Sequence, residues 1–433
     1  MDEIWQEAKE LQEELVARRR NLHQYPEPGW TEFRTASLII QELRRLGYQV
    51  AFGPEVVAEE AMLGLPTREV LQEAAARAID EGADATLVEA MQGGKTGVVA
   101  TLVGNAPGKT VAFRFDMDSN EVQETSDPRH LPNQLGFASR HPGAMHACGH
   151  DGHVTIGLGV AKLVAQHQQE LVGQVKLIFQ PAEEGVRGAY AMVQQGVVDD
   201  VDYFFGGHIG FKARENATLV CMTKGFLATT KLDASFRGVA SHAGLAPEEG
   251  RNALLAAAQA CLALHAIPRH GQGSSRINVG VFQGGSGRNI VPEQAELKLE
   301  TRGETTAINS YMVEQAQRIL QASGAMYEVG VRVAKVGSAP GCQGDAALGQ
   351  EVARLAQASG AYTKMIPTMD MGGSEDCAYF MERVQQLGGR AVYFMYGSRL
   401  AAGHHHSDFN FDESCLWRAV GLLTKLALNY VHN

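Results

Sequence analysis

From Thr96 onward the chain repeats one pattern: a short apolar run, a polar stop, then a helical stretch. The runs cover 98–103, 111–115, 175–179, 203–205 and 392–396, with helical stretches such as 152–171 and 186–195 between them. Apolar runs of this length bounded by breakers read as buried strands, and alternation with helices demands crossover connections. The pattern therefore predicts an α/β fold with a mixed, largely parallel sheet flanked by helices. Such a sheet binds its ligands beyond the carboxyl ends of its strands. Chemistry is expected in the residues that follow each run.

The flanks extend this plan. Residues 3–20 place Ile4, Ala8, Leu11 and Leu15 at helical spacing among Glu and Arg, the pattern of an amphipathic helix. The turn Tyr25-Pro26-Glu27-Pro28-Gly29-Trp30 leads to a second helix, expected over 31–46 and stopped by Gly47. Residues 55–93 are rich in Ala and Glu and read as a helical insertion that caps the molecule or shields a cleft. Residues 225–338 change rhythm, with strand-like 229–236, a helix near 250–265, strands 276–283 and 294–301, a helix over 306–322 and a last strand at 327–334. That β-α-β-β-α-β order is a ferredoxin-like unit. The expected plan is a first part of the α/β domain at 1–224, an inserted domain at 225–338, and a second part at 339–433. A length of 433 residues agrees with this, since one core rarely grows past ~250–300 residues.

The strand ends carry one kind of chemistry. The 111–115 run leads into Asp116-Met117-Asp118, and 175–179 into Pro181-Ala182-Glu183-Glu184-Gly185. The 203–205 run is followed by His208, and 392–396 by Gly403-His404-His405-His406. His146-Ala147-Cys148-Gly149-His150-Asp151 stands directly before the expected helix at 152. Thiolate, imidazole and carboxylate together are the ligand set of a zinc-like or manganese-like ion. A lone buried Cys is usually a small hydrophobe, but Cys148 has His146, His150 and His153 around it. Two adjacent acids are usually a solvated pair, but Glu183-Glu184 follows a buried run and Pro181. One of the two can coordinate while the other stays free to move a proton, because a divalent ion lowers the pKa of water to ~7. Gly284-Gly285-Ser286-Gly287 lacks the Lys-Ser/Thr of a phosphate loop and reads as a turn.

Charge and cysteines exclude other classes. With 38 basic against 49 acidic residues the net charge is −11, which argues against a nucleic-acid partner. No apolar run reaches ~18 residues, so no membrane span is expected. The acidic start Met1-Asp2-Glu3 shows no secretory signal. The six cysteines are scattered and form no C-x-x-C pair, as expected of reduced thiols in the cytoplasm.

The combination of Arg19-Arg20-Asn21-Leu22-His23, Pro26-Glu27-Pro28-Gly29, Asp116-Met117-Asp118, the 146–151 element with His153, the 181–185 segment, Ser241-His242-Ala243-Gly244 and Ser374-Glu375-Asp376 resembles the aminoacylase/carboxypeptidase-type amidohydrolases over essentially the whole chain. It is most similar to their cysteine-ligand branch, which includes hippurate and auxin-conjugate hydrolases. Val186-Arg187-Gly188-Ala189 and the 197–204, 252–267 and 401–405 segments are similar to the members that hydrolyse p-aminobenzoyl-glutamate. The resemblance implies a metal-dependent hydrolase of an amide bond in a small-molecule substrate, with the inserted domain as a lid and dimerisation domain. It implies five ligands for two divalent ions: Cys148, His150, Glu184, His208 and His405. His405 is chosen over its neighbours because the family's ligand stands four residues before an aromatic and eight before an acid, here Phe409 and Glu413. It implies Glu183 as general base, His242 as oxyanion donor reaching across a dimer, Arg288 and Asn289 as substrate-binding residues, and Asp118 as the orienter of a ligand histidine. Ligand chemistry alone favours zinc; the resemblance favours manganese, and a homodimer or a heterodimer with a homologous second subunit. Another acylated amino acid as substrate, or a non-catalytic role as the partner in a heteromeric hydrolase, are the alternative readings. The chain departs from the family where Asp118-Ser119-Asn120 replaces the usual Asp-Ala-Leu.

Overall fold

The structure is a computed structural model that describes residues 3–430. It contains two compact units. The first runs up to Lys224 and resumes over Gln343–Met371 and from Asp376 onward; the second comprises Gly225–Cys342 and Gly372–Glu375.

The first unit is built on an eight-stranded sheet in the order Gln49–Phe52, Val98–Val103, Gln174–Gln180, Thr110–Asp116, Tyr203–Ile209, Arg390–Tyr396, Thr218–Val220, Lys364–Ile366. Its centre is parallel: Thr110–Asp116 pairs in parallel with both neighbours, and Tyr203–Ile209 with Arg390–Tyr396. Antiparallel pairs lie outside this centre. The fold class expected from the alternation is the one that forms. Thr110–Asp116 is buried along its whole length, as a strand covered on both faces must be. Phe113 stacks on Phe205 at 5.3 Å. Helices His150–Gln166 and Leu416–Tyr430 contribute Val154, Leu158, Val160, Leu422 and Leu426 to the same core.

Local departures have local causes. The helix expected over 3–20 is two, Glu3–Glu10 and Gln12–Gln24. The helix expected from 152 starts at His150 and ends at Gln166, with a single 3-10 turn at Gln168–Glu170. The 55–93 stretch is not continuously helical. Only Arg68–Asp80 and Ala85–Ala90 are α-helices. Gly64 and Pro66 interrupt the segment before them, where a proline ring and a left-handed glycine oppose helix. Val56, Val57 and Ala58 there are buried, and the Leu63 carbonyl accepts the Trp30 indole N–H at 2.8 Å.

The second unit is a four-stranded antiparallel sheet ordered Gly330–Ala339, Ala228–Arg237, Gln294–Gly303, Ser275–Gly284. Helices Ala253–His265 and Thr306–Met326 close its core through Ala256, Ala260, Met312 and Leu320 against Leu232, Phe236 and Leu297. Among the described residues no helix is long and apolar enough to cross a membrane.

Candidate metal centre

The sheet gathers its polar strand ends at one place. Gly149 takes φ +92°, a conformation that costs glycine little, so the helix begins at His150, two residues after Cys148. The helix N-terminus favours negative charge there. Donor atoms of Cys148, Glu184 and His405 lie within 4.8 Å of one another, as do those of His150, Glu183 and Glu184, and those of Cys148, His208 and His404. The first two sets share Glu184, and the first and third share Cys148. The structure thus brings together all five residues that the resemblance implies as ligands, with Glu183 beside them.

Hydrogen bonds leave particular ring nitrogens available. His150 donates Nδ1–H to the Asp118 carbonyl at 2.8 Å, and its Nε2 is buried without a hydrogen-bond partner. His208 donates Nδ1–H to the Ile209 carbonyl at 2.7 Å, and its Nε2 lies 3.4 Å from Cys148 Sγ. His405 Nε2 lies 3.2 Å from Glu184 Oε1. His153 has no nitrogen to spare: Nδ1 faces Asp116 Oδ1, and Nε2 accepts the Ile209 N–H at 2.9 Å. His404, not selected by the family register, donates Nε2–H to Ile209 O at 3.2 Å and stacks on Phe211.

Electrostatics fit a cation. Burial alone would lower the pKa of His150, but Asp116, Asp118 and Glu184 raise it to about 10. A pocket that pulls a proton onto a buried imidazole holds uncompensated negative charge. Burial would raise Glu184, but His405 and His150 hold it down at about 2. Burial and like-charged neighbours push His208 well below its usual value, leaving its imidazole neutral. A buried Nε2 without a hydrogen-bond partner, a thiol beside an imidazole, and ionised carboxylate form a donor set suited to a divalent ion.

The turn that carries Glu183 and Glu184 is held from outside. Asp118 Oδ1 accepts the Glu183 N–H at 3.0 Å, and Oδ2 the Glu184 N–H at 2.9 Å. Glu32 Oε1 accepts the Ala182 N–H at 2.7 Å. Asp376 Oδ2 accepts the N–H groups of Gly188 and Ala189 at 3.2 and 3.0 Å. Asp376 is fixed in turn by Gln180 and Arg114. Sequence reading missed Glu32 and these roles of the acids, because an acid that grips a distant backbone leaves no local signal. It also missed Asn120, whose Oδ1 accepts the Ala147 N–H at 3.1 Å and whose side chain also bonds Glu184. The departure from Asp-Ala-Leu was the available clue. Asp151, buried, forms an ion pair with Arg19, whose Nε lies 2.8 Å from Oδ2, and accepts from His23 Nδ1 at 2.8 Å.

In the second unit, His242 Nδ1 accepts the N–H groups of Gly244 and Leu245, both at 3.1 Å. An Nδ1 that accepts places the ring proton on Nε2. The exposed His242 bridges to Ile290, beside Arg288 and Asn289, and the Asn289 carbonyl accepts the Ala243 N–H at 3.0 Å.

Residues 112–429 match the model of peptidase family M20/M25/M40. The chain is 50% identical to a p-aminobenzoyl-glutamate hydrolase chain of Escherichia coli (strain K12), one named as a subunit of its enzyme, with 99% of each chain covered. It is 49% identical to indole-3-acetyl-aspartic acid hydrolase of Enterobacter agglomerans, covering 98% of this chain and 97% of that one. Among solved structures, an aminobenzoyl-glutamate utilization protein from Klebsiella pneumoniae superposes with a TM-score of 0.84 at 42% identity, over 99% of this chain and 98% of that one. The chain belongs to peptidase family M20/M25/M40 and is a metal-dependent amidohydrolase.

Proposed function

We propose that the chain hydrolyses the amide bond of p-aminobenzoyl-glutamate, a folate breakdown product, to p-aminobenzoate and glutamate. The observation that carries this reading is the cluster of overlapping donor sets with Glu183 on the same turn as Glu184. The substrate follows from the similarity to the E. coli hydrolase. Cys148, His150, Glu184, His208 and His405 would hold two divalent ions, manganese in preference to zinc. When bound, the ions supply Lewis acidity and lower the pKa of water toward ~7. Glu183 takes the proton of the attacking water and later delivers it to the departing nitrogen. Asp118 orients His150 through its carbonyl. His242 presents Nε2–H to the carbonyl oxygen as negative charge develops, and Arg288 and Asn289 bind substrate beside it.

The domain plan of 1–224, 225–338 and 339–433 belongs to the same reading, with 225–338 as lid and dimerisation domain. So do a cytoplasmic location and a homodimer or a heterodimer with a homologous second subunit; the E. coli relative is named as one subunit of its enzyme, which supports the heterodimer. The test is release of p-aminobenzoate by the purified full chain with Mn²⁺, with Zn²⁺ and without metal. Glu183→Ala retains its metal by elemental analysis and loses turnover; full activity in that variant would sink the assignment. A second reading is favoured by the 49% identity to the indole-3-acetyl-aspartic acid hydrolase. Comparing kcat/KM for that conjugate and for p-aminobenzoyl-glutamate separates the two.

A further inference from the structure

Beside Glu184 and His405 lies a pocket of about 300 Å³ whose wall includes Gly185 and Arg187. The Arg187 guanidinium is held in place without an ionic partner. Its Nε donates to the Glu184 carbonyl at 2.8 Å, and Nη1 donates to the Gly64 carbonyl at 3.0 Å. Among the described residues no carboxylate pairs with it, although arginines such as Arg19, Arg114 and Arg383 all have acids. The chain makes room for this group. A Cβ at Gly29 would lie 2.3 Å from Nη2, and one at Gly185 would lie 3.2 Å from Nε. The Gly64 carbonyl belongs to the 55–93 insertion, so that segment helps set the guanidinium's direction.

A half-buried guanidinium with two of its five N–H groups spent on carbonyls keeps a planar face of donors, the arrangement that suits a carboxylate. We infer that Arg187 is a specificity-determining residue that binds the side-chain carboxylate of an acidic amino acid on the leaving side of the amide. This deepens the proposed function and rests on it. Both named relatives are described as acting on amides of acidic amino acids, one of glutamate and one of aspartic acid. Glu121 also lines the pocket, but it is exposed to solvent, where its repulsion is screened.

The experiment compares p-aminobenzoyl-glutamate with p-aminobenzoyl-glutamine, whose side chain is neutral and whose α-carboxylate remains. Binding to the metal-loaded full chain is measured by calorimetry in a Glu183→Gln background, so that turnover does not intrude. A charge-assisted contact predicts a preference for the glutamate compound of about 10- to 100-fold. Adding Arg187→Met should bring that ratio within about threefold, and Arg187→Gln, which keeps an N–H for the carbonyls, should do the same if Met disturbs folding. In the otherwise native chain, Arg187→Gln should raise KM for the glutamate substrate and leave KM for the glutamine substrate unchanged. Equal losses on both compounds would make Arg187 a structural brace and overturn the inference, as would a preference that survives both variants or is absent from the parent. Undiminished turnover by the Glu183→Gln chain would instead overturn the assignment of Glu183, while the binding ratio would still decide the role of Arg187.

Discussion

Asp118→Ala offers a quantitative test of how the candidate centre is held. Both oxygens of this buried side chain are in use, on the Glu183 N–H at 3.0 Å and the Glu184 N–H at 2.9 Å. Removing them leaves two donors without acceptors, each worth about 1–3 kcal/mol when sealed from water. Glu183 and Glu184 are only half-buried, so water recovers part of that, and a loss of about 2 kcal/mol is expected in the metal-free protein. The consequence for rate is larger than the stability change suggests. Freed from Asp118, the two glutamates drift, and a shift near ~1 Å in a reacting group costs about 10²-fold. His150 keeps its hydrogen bond to the Asp118 backbone carbonyl, which alanine retains, but loses the carboxylate oxygen 3.4 Å from its Nδ1. Urea unfolding of the metal-free chain measures the first effect, and kcat/KM for p-aminobenzoate release measures the second. Asp118→Asn, with one acceptor oxygen left, should fall between. A stability within about 0.5 kcal/mol of the parent, with kcat/KM within about threefold, would refute the reasoning.

Four other perturbations have defined outcomes. Cys148→Ala removes a donor shared by two of the overlapping sets, so the metal content measured by elemental analysis should fall while the secondary structure by circular dichroism stays. Chelation should lower the thermal midpoint of the parent, since a ligand at ~1,000 times its Kd stabilises by about 4 kcal/mol, but should scarcely move that of Cys148→Ala. His242→Ala, at an exposed position, should leave the thermal midpoint unchanged and lower kcat by about 10²–10³-fold. Asp412 gives a pH test: burial opposes its ionisation, but Ser414, Asn216 and Arg399 hold its pKa at about 2 against 3.8. A depressed acid stabilises fully above its unfolded pKa and loses that contribution as pH falls through the folded one. Allowing for its partial exposure, Asp412→Asn should cost about 1 kcal/mol at pH 7, and its unfolding curve should converge with the parent's between pH 4 and 2.

What sequence reading could reach follows from how each residue works. Thr110–Asp116 and Gln174–Gln180 are buried nearly throughout, and such strands are continuous apolar runs that stand out. Gln49–Phe52 and Lys364–Ile366 are short and half-exposed, and Thr218–Val220, although buried, has only three residues; none leaves a period to detect. The ligand types were visible because His, Cys and Glu just beyond an apolar strand are rare unless used. The supports were not. Glu32 grips a backbone group 150 positions away, and Asp376 one 187 away; neither separation leaves a pattern in one chain. Arg187 stood out in the sequence only as part of the Val186-Arg187-Gly188-Ala189 segment; its lack of an ion-pair partner among the described residues and the space left for it by Gly29 are features of the fold.

The acids of this centre share a residue type and divide the work by what their oxygens can reach. Five N–H groups, of residues 182, 183, 184, 188 and 189, point into Glu32, Asp118 and Asp376. The turn needs this grip, because Ala182 at φ +48° and Val186 at φ +57° occupy left-handed backbone that side chains disfavour, at about 1–3 kcal/mol each. Five hydrogen bonds of about 0.5–1.5 kcal/mol each are of the size needed to offset that strain. The grip also comes from three directions: the residue before helix Phe33–Arg45, the end of the central strand, and the residue before helix Cys377–Gln386. Those acids accept the N–H groups of the turn, so that task does not fall to the side chains of Glu183 and Glu184. The same arrangement turns the Arg187 guanidinium toward the pocket, since its Nε is tied to the carbonyl of Glu184 within the same turn. A strained turn held this way fixes Glu183, Glu184 and Arg187 together, the residues proposed to carry the proton, hold metal and read the substrate, and a disturbance at any of the three anchors should reach all of them.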